Sequence, residues 1–164
     1  MTGYSSQKDD LLSSLKRYTT LFEARKDALA QLSRTSVEMR STLKSSADVD
    51  ISGILERRDS ECSHFANLCN SVDIPALVDT AGRAAQNANG EVGNLARSIL
   101  SLHTDSQTLA QEILTCQGEC EAILKKRLEA TAHAIRESKQ RRKLDAAYGP
   151  ACKHESPIFL DKQQ

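Results

Sequence analysis

The sequence predicts an all-α chain, folded as an elongated antiparallel helical bundle or coiled coil of three to four helices, two of them long. Three observations carry this expectation. First, stepping by four and then three from Ile74 meets Val78, Ala81, Ala85, Ala88, Val92, Leu95, Ile99, Leu102, Ser106, Leu109, Ile113, Cys116, Cys120, Ile123, Arg127, Ala130 and Ala134. Only Ser106 and Arg127 interrupt that apolar series, which holds one phase for about eight heptads. Second, another such seam runs Leu11, Leu15, Tyr18, Phe22, Arg25, Leu29, Leu32, Ser36, Met39, Leu43. Third, the 164 residues include no Trp and only three Phe, with 39% apolar content. That is too little for a thick aromatic core but enough for thin helix-on-helix seams.

The elements follow in order. Ser6 and Asp9 resemble a capping box, and the seam from Leu11 predicts a first helix over about residues 6–45. The polar run Ser45-Ser46-Ala47-Asp48 is a turn signal. Asp48 or Asp50 can cap a second helix that reaches about Ser71, with its seam at Ile51, Leu55, Arg58, Cys62, Phe65, Cys69 and Val72, widened by Ile54 and Leu68. Asp73-Ile74-Pro75 is the clearest boundary, since Asp is a good N-cap and Pro is tolerated in a first turn. A third helix starts there. If the seam from Ile74 to Ala134 were one helix it would span roughly 90 Å. Gly82, Gly90 and Gly93 argue against that, at about 1 kcal/mol each relative to Ala inside a helix, and predict a loop or kink near residues 86–93. The last helix then covers about 91–147, and Gly149-Pro150 ends it. Residues 1–148 therefore read as one helical bundle domain and 149–164 as a flexible C-terminal tail.

Charge and composition restrict function. The chain carries 22 basic and 22 acidic residues, so its net charge does not point to nucleic acid or to a membrane surface. No apolar run approaches the roughly 20 residues of a spanning helix, so no membrane insertion is expected. The start, Met-Thr-Gly-Tyr-Ser-Ser, lacks the basic and apolar regions of a signal peptide. A cytoplasmic protein with five reduced thiols is the expectation.

No residue set calls for chemistry. Cys62 and Cys69 lie seven apart, roughly 10 Å along a helix, too far to share one zinc ion. His64 falls on a different face from Cys62. Cys116 and Cys120 could share a metal, but both are seam positions, so all four read as small buried hydrophobes. His64, His103, His133 and His154 form no ligand set or base–nucleophile pair. With no phosphate loop and no paired carboxylates in an apolar setting, no enzyme, cofactor or metal is expected. Glu121 to Lys143 holds eight basic side chains against three Glu. That run reads as a solvated face near a helix C-terminus, without the interleaved aromatics of a nucleic-acid surface. Arg25, Arg58 and Arg127 occupy seam positions, where a polar residue sets register or snorkels to the rim.

Three stretches resemble the FlgN-like flagellar export chaperones. One is Ser46 to Phe65, an aspartate-led helix with basic residues among apolar ones. Another is the long last helix ending in Ala147-Tyr148-Gly149-Pro150. The third is Pro157-Ile158-Phe159-Leu160-Asp161-Lys162, similar to the Leu-Asp-Lys endings of that family. A FliT-type flagellar chaperone shares the same layout. The resemblance implies a small cytoplasmic chaperone that binds terminal helices of hook–filament junction (hook-associated) proteins. It would prevent their premature assembly and deliver them to the flagellar export gate. A bundle with an exposed apolar groove suits helix capture. The last helix offers a second stripe, Leu124, Leu128, Thr131 and Ile135, beside its main seam at Ile123. Leu144 and Tyr148 follow further on. Ile123, Leu124, Leu128, Ile135, Leu144 and Tyr148 are thus the expected partner-binding residues, unless another helix of the same bundle covers them. The alternative is a structural coiled-coil protein that self-associates through these seams, for instance as a homodimer.

Overall fold

The computed structural model describes residues 3–45, 50–70 and 72–148, with side chains from residue 9 onward. All regular structure among them is helical: α1 (Gly3–Ser45), α2 (Ser52–Asn70), α3 (Ile74–Asn87) and α4 (Glu91–Tyr148). The expectation is an all-α helical bundle of three to four helices, two of them long; the described residues form four, of which α1 and α4 are long. No helix among the described residues is long and apolar enough to cross a membrane. The expected tail, with Cys152 and Ile158-Phe159-Leu160, lies outside the described residues, as do Ser46 to Val49 and Gly149-Pro150. By its internal contacts the chain divides into two units, Met1–Ile123 and Leu124–Gln164.

The first unit takes its order from ion pairs and hydrogen bonds along its helices. Glu38 pairs with Arg57 at 2.7 Å and Thr35 donates to Glu61 at 2.9 Å. Numbers fall along α1 as they rise along α2, so the two are antiparallel. Between α1 and α4 the numbers rise together: Lys16–Glu91 at 2.8 Å, Lys26–Asp105 at 2.7 Å, and Glu119 between Arg40 and Lys44 at 3.2 and 2.9 Å. The unit is therefore an up–down–up bundle. Its descending member is made of α2 and then α3, and α1 and α4 run parallel. Each exposed ion pair contributes at most about 1 kcal/mol, so burial rather than charge holds the helices.

Three buried clusters follow one another along α1. Leu15 and Phe22 pack with Ala81, Ala84, Val92, Ala96 and Ile99. Leu29 and Leu32 then meet Ile113, with Phe65 and Leu109 against them. Met39 and Leu43 meet Ile54, Cys116 and Cys120, with Ile51 and Ile123 alongside. Every position of the predicted α1 seam is buried or half-buried, Arg25 and Ser36 included. Ser36 and Ser106 sit in the core because each hydroxyl donates to the carbonyl four residues earlier, Leu32 and Leu102, at 2.7 Å.

The α2 seam differs from its expectation. Leu55 and Cys62 are exposed, while Ile54 is buried and Glu61 half-buried. The inward face is Ile51, Ile54, Arg58, Glu61, Phe65, one position off the expected series at two places. Glu61 is drawn in by Thr35, and Arg58 by Gln117, to which it donates at 2.8 Å.

The break between α3 and α4 falls where the glycines place it. Asp73 caps α3 by accepting from the Ala76 amide at 3.1 Å, with Pro75 in the first turn. Ala88 leaves the helix in extended conformation and Gly90 has φ +73, a left-handed value that favours glycine. Gly93 lets α4 begin close against Ala88: a Cβ there would lie 2.2 Å from the Ala88 carbonyl oxygen.

Candidate partner-binding surface on the last helix

Within the second unit, Leu124 to Tyr148 is the C-terminal part of α4, and nearly all of it is exposed. Leu124 is 41% exposed, Leu128 71%, Ile135 50%, Leu144 57% and Tyr148 84%. Ile123 is different: it is half-buried against the Met39, Leu43, Ile54 cluster of the first unit and belongs to the core there. The main seam loses its cover over the next two turns: Arg127 is half-buried, and Ala130 and Ala134 are exposed.

Helix geometry sorts the remaining five. At about 100° per residue, Leu124, Leu128, Thr131 and Ile135 fall within about 60° of one another. They form a stripe roughly 17 Å long. Leu144 and Tyr148 lie about 200° and 240° around from Leu124, on the far side of the helix. The sequence-predicted surface is therefore one coherent stripe, a core residue and two isolated apolar residues on another face.

Charge surrounds this stripe. Leu124 to Tyr148 carries eight basic residues against three acidic ones, a formal +5. Residues 1–123 carry twelve against seventeen, a formal −5. The zero net charge of the chain conceals this division. Arg136 donates to the Ala132 carbonyl of its own helix at 3.2 Å, and His133 lies 3.8 Å from Glu137.

Elsewhere, the polar groups that invite chemistry belong to the first unit's packing. Cys116 donates to the Ser36 carbonyl at 3.1 Å. Burial, followed by the neighbouring Cys116, pushes the Cys120 thiol up. Both are buried as expected, whereas Cys62 is exposed and Cys69 half-buried, because α2 turns Ile54 and Glu61 inward instead. No group of three or more His, Cys, Asp or Glu among the described residues could hold a metal ion. Glu119 is held below the usual carboxylate range by its hydrogen bond from Lys44, with Arg40 adding to it. A shallow hollow of about 390 Å³ between α1 and α4 is lined by Val37 and Cys116, by the charged Arg40 and Glu112, and by neighbouring Ser, Thr and Gln side chains.

One feature was hidden from the sequence. Arg25 is buried, with its guanidinium 5.2 Å from the Phe22 ring centre and 5.8 Å from that of Phe65. Its Nε and Nη1 have no hydrogen-bond partner among the described residues. His103 meets Phe22 edge-on at 5.9 Å, and burial, then the Arg25 charge, lowers its pKa. Arg25 stood out as a polar seam position, but nothing in the spacing pairs it with His103. Compared with family models, curated proteins and solved structures, the chain matches none.

Proposed function

We propose that the chain is a binding protein rather than an enzyme: a cytoplasmic flagellar export chaperone that captures a terminal helix of a hook–filament junction subunit and delivers it to the export gate. The resemblance of Ser46–Phe65, of the long last helix and of the Leu160-Asp161-Lys162 ending suggests the client class. The observation that supports capture is the exposed stripe Leu124, Leu128, Ile135 on the C-terminal part of α4, which contributes no residue to the buried clusters of the first unit. An apolar stripe of three turns is the element that helix-in-groove recognition uses. Leu144 and Tyr148, on the other side, would serve a second contact, and Ile123 would anchor the helix rather than touch the client.

The test replaces Leu128 and Ile135 together with Asp. Both are at least half exposed, so the melting curve should stay within about 0.5 kcal/mol of the parent in stability. Capture of a junction-protein terminal helix, measured by titration calorimetry, should be lost. Normal capture with a normal melting curve would remove this face from consideration. A loss of several kcal/mol would mean that the pair is core. In the alternative, the same stripe would join two copies of the chain. The +5 of Leu124–Tyr148 opposes pairing this segment with itself.

A further inference from the structure

We propose that the partner seated on the Leu124–Leu128–Ile135 stripe is an acidic amphipathic helix of another protein, one whose apolar edge is flanked by Asp and Glu. The inference rests on the reading of this stripe as a binding surface, but not on the identity of the client. It starts from a contrast in how the two units use their cations. In residues 1–123, Lys16, Lys26, Arg40, Lys44, Arg57 and Arg83 each pair with a carboxylate of the same unit. In Leu124–Tyr148, Lys125, Lys139, Arg141, Arg142 and Lys143 make no ion pair with any described residue.

Their placement around the helix gives these charges a direction. Taking Leu124 as zero, Lys125 falls about 100° round within the stripe's length; roughly 6–12 Å past Ile135, Lys139 and Lys143 fall at about 60° and 100° on the same flank and Arg141 about 100° away on the other. Glu129, within the stripe's length, and Glu137, just past it, lie about 140° from the stripe, while Glu121, one turn before Leu124, lies about 60° away and accepts from Gln117. An apolar line bordered by cations is the arrangement that pairs, in a two-helix seam, with an apolar line bordered by carboxylates.

Other occupants leave part of this surface unused. A second copy of the same segment would set +5 against +5. A nucleic acid would use the cations and leave Leu124, Leu128 and Ile135 in water. A lipid surface favours a longer apolar face, commonly with Trp or Phe, whereas here Arg142 stands on the line of the stripe only two turns past Ile135.

The test exposes the full chain to displayed helical peptides of three heptads. They carry Leu at every a and d position, with Glu, Gln or Lys drawn at random at the flanking positions. The retained pool should be rich in Glu. The best Glu-flanked peptide should bind about tenfold more tightly than its Lys-flanked twin at about 0.1 M salt, and the gap should close at higher salt. The triple variant Lys125→Glu, Lys139→Glu, Lys143→Glu should invert the preference, and Leu128→Asp with Ile135→Asp should retain nothing. A triple variant that keeps the same pool overturns the acidic partner and leaves the stripe in place. A double Asp variant that keeps the pool overturns the stripe itself. Two competition results would also overturn the proposal: displacement of the Glu-flanked peptide by phosphatidylserine vesicles or by a short DNA duplex, or a chain that sediments as a dimer and binds no peptide.

Discussion

Replacing Arg25 with Met should stabilise the fold, although it removes a charged residue from the centre of the first unit. The guanidinium has two buried nitrogens without partners, and each such group costs about 1–3 kcal/mol. The rings of Phe22 and Phe65 return about 0.5–2 kcal/mol through cation–π attraction. Met keeps most of the stem's volume and has no donor to satisfy, so a gain of about 1 kcal/mol is expected. Arg25→Ala separates stem from charge: it loses the packing as well and should fall below Arg25→Met by about 2–3 kcal/mol. Urea unfolding with an unchanged denaturant slope measures both.

The same substitution has a second readout at His103. Burial lowers its folded pKa, and the Arg25 charge lowers it further. Between that depressed value and the ordinary one near 6.5 the unfolded chain binds the proton and the folded chain does not. Stability therefore rises with pH across that window and is diminished below it. Arg25→Met removes the charge but not the burial, so the His103 titration, followed by NMR, should move part of the way back up and the window should narrow. A loss above about 2 kcal/mol in Arg25→Met, or a His103 titration that does not move, would show that the guanidinium is satisfied and would refute the argument.

Further outcomes test the helix packing and the thiols. Gly82→Ala and Gly118→Ala add a Cβ into open space within helices and should each raise stability by up to about 1 kcal/mol, read from melting curves. Gly93→Ala should cost about 1–3 kcal/mol, because its Cβ would meet the Ala88 backbone. Among the cysteines of the described residues, Cys62 should react first with a thiol reagent and Cys120 last, since Cys120 is buried and its thiol is pushed up. Cys116→Ala with Cys120→Ala should cost about 1–3 kcal/mol in all and leave metal content at background by plasma emission analysis; stoichiometric zinc in the parent would overturn that.

The first helix was legible almost residue by residue, because its seam meets partners along its described length and even Arg25 and Ser36 stay in register. On α2 the pattern slipped, since Leu55 and Cys62 compete with Ile54 and Glu61 for the same seam. Periodicity counts apolar residues and cannot foresee a carboxylate turned inward to meet Thr35. At the candidate site, nearness in sequence misled: Leu144 and Tyr148 follow the stripe along the chain, but a repeat of 3.6 residues carries them to the other side. Ile123 continues the main seam and lies half-buried against the Met39, Leu43 and Ile54 cluster, which periodicity alone did not separate from the stripe. The heptad series itself runs on to Ala134, while Cys120 is its last buried position, Ile123 and Arg127 are half-buried, and Ala130 and Ala134 are exposed. A seam states what a helix can pack against and carries no information on whether this chain supplies the partner. Beyond Cys120 the apolar pattern outlasts the burial that the first unit supplies, and the proposed partner helix is one way to complete it. The stripe is therefore visible in the sequence as a candidate, whereas an acidic partner is inferred only with the ion pairs of the first unit, which periodicity does not give.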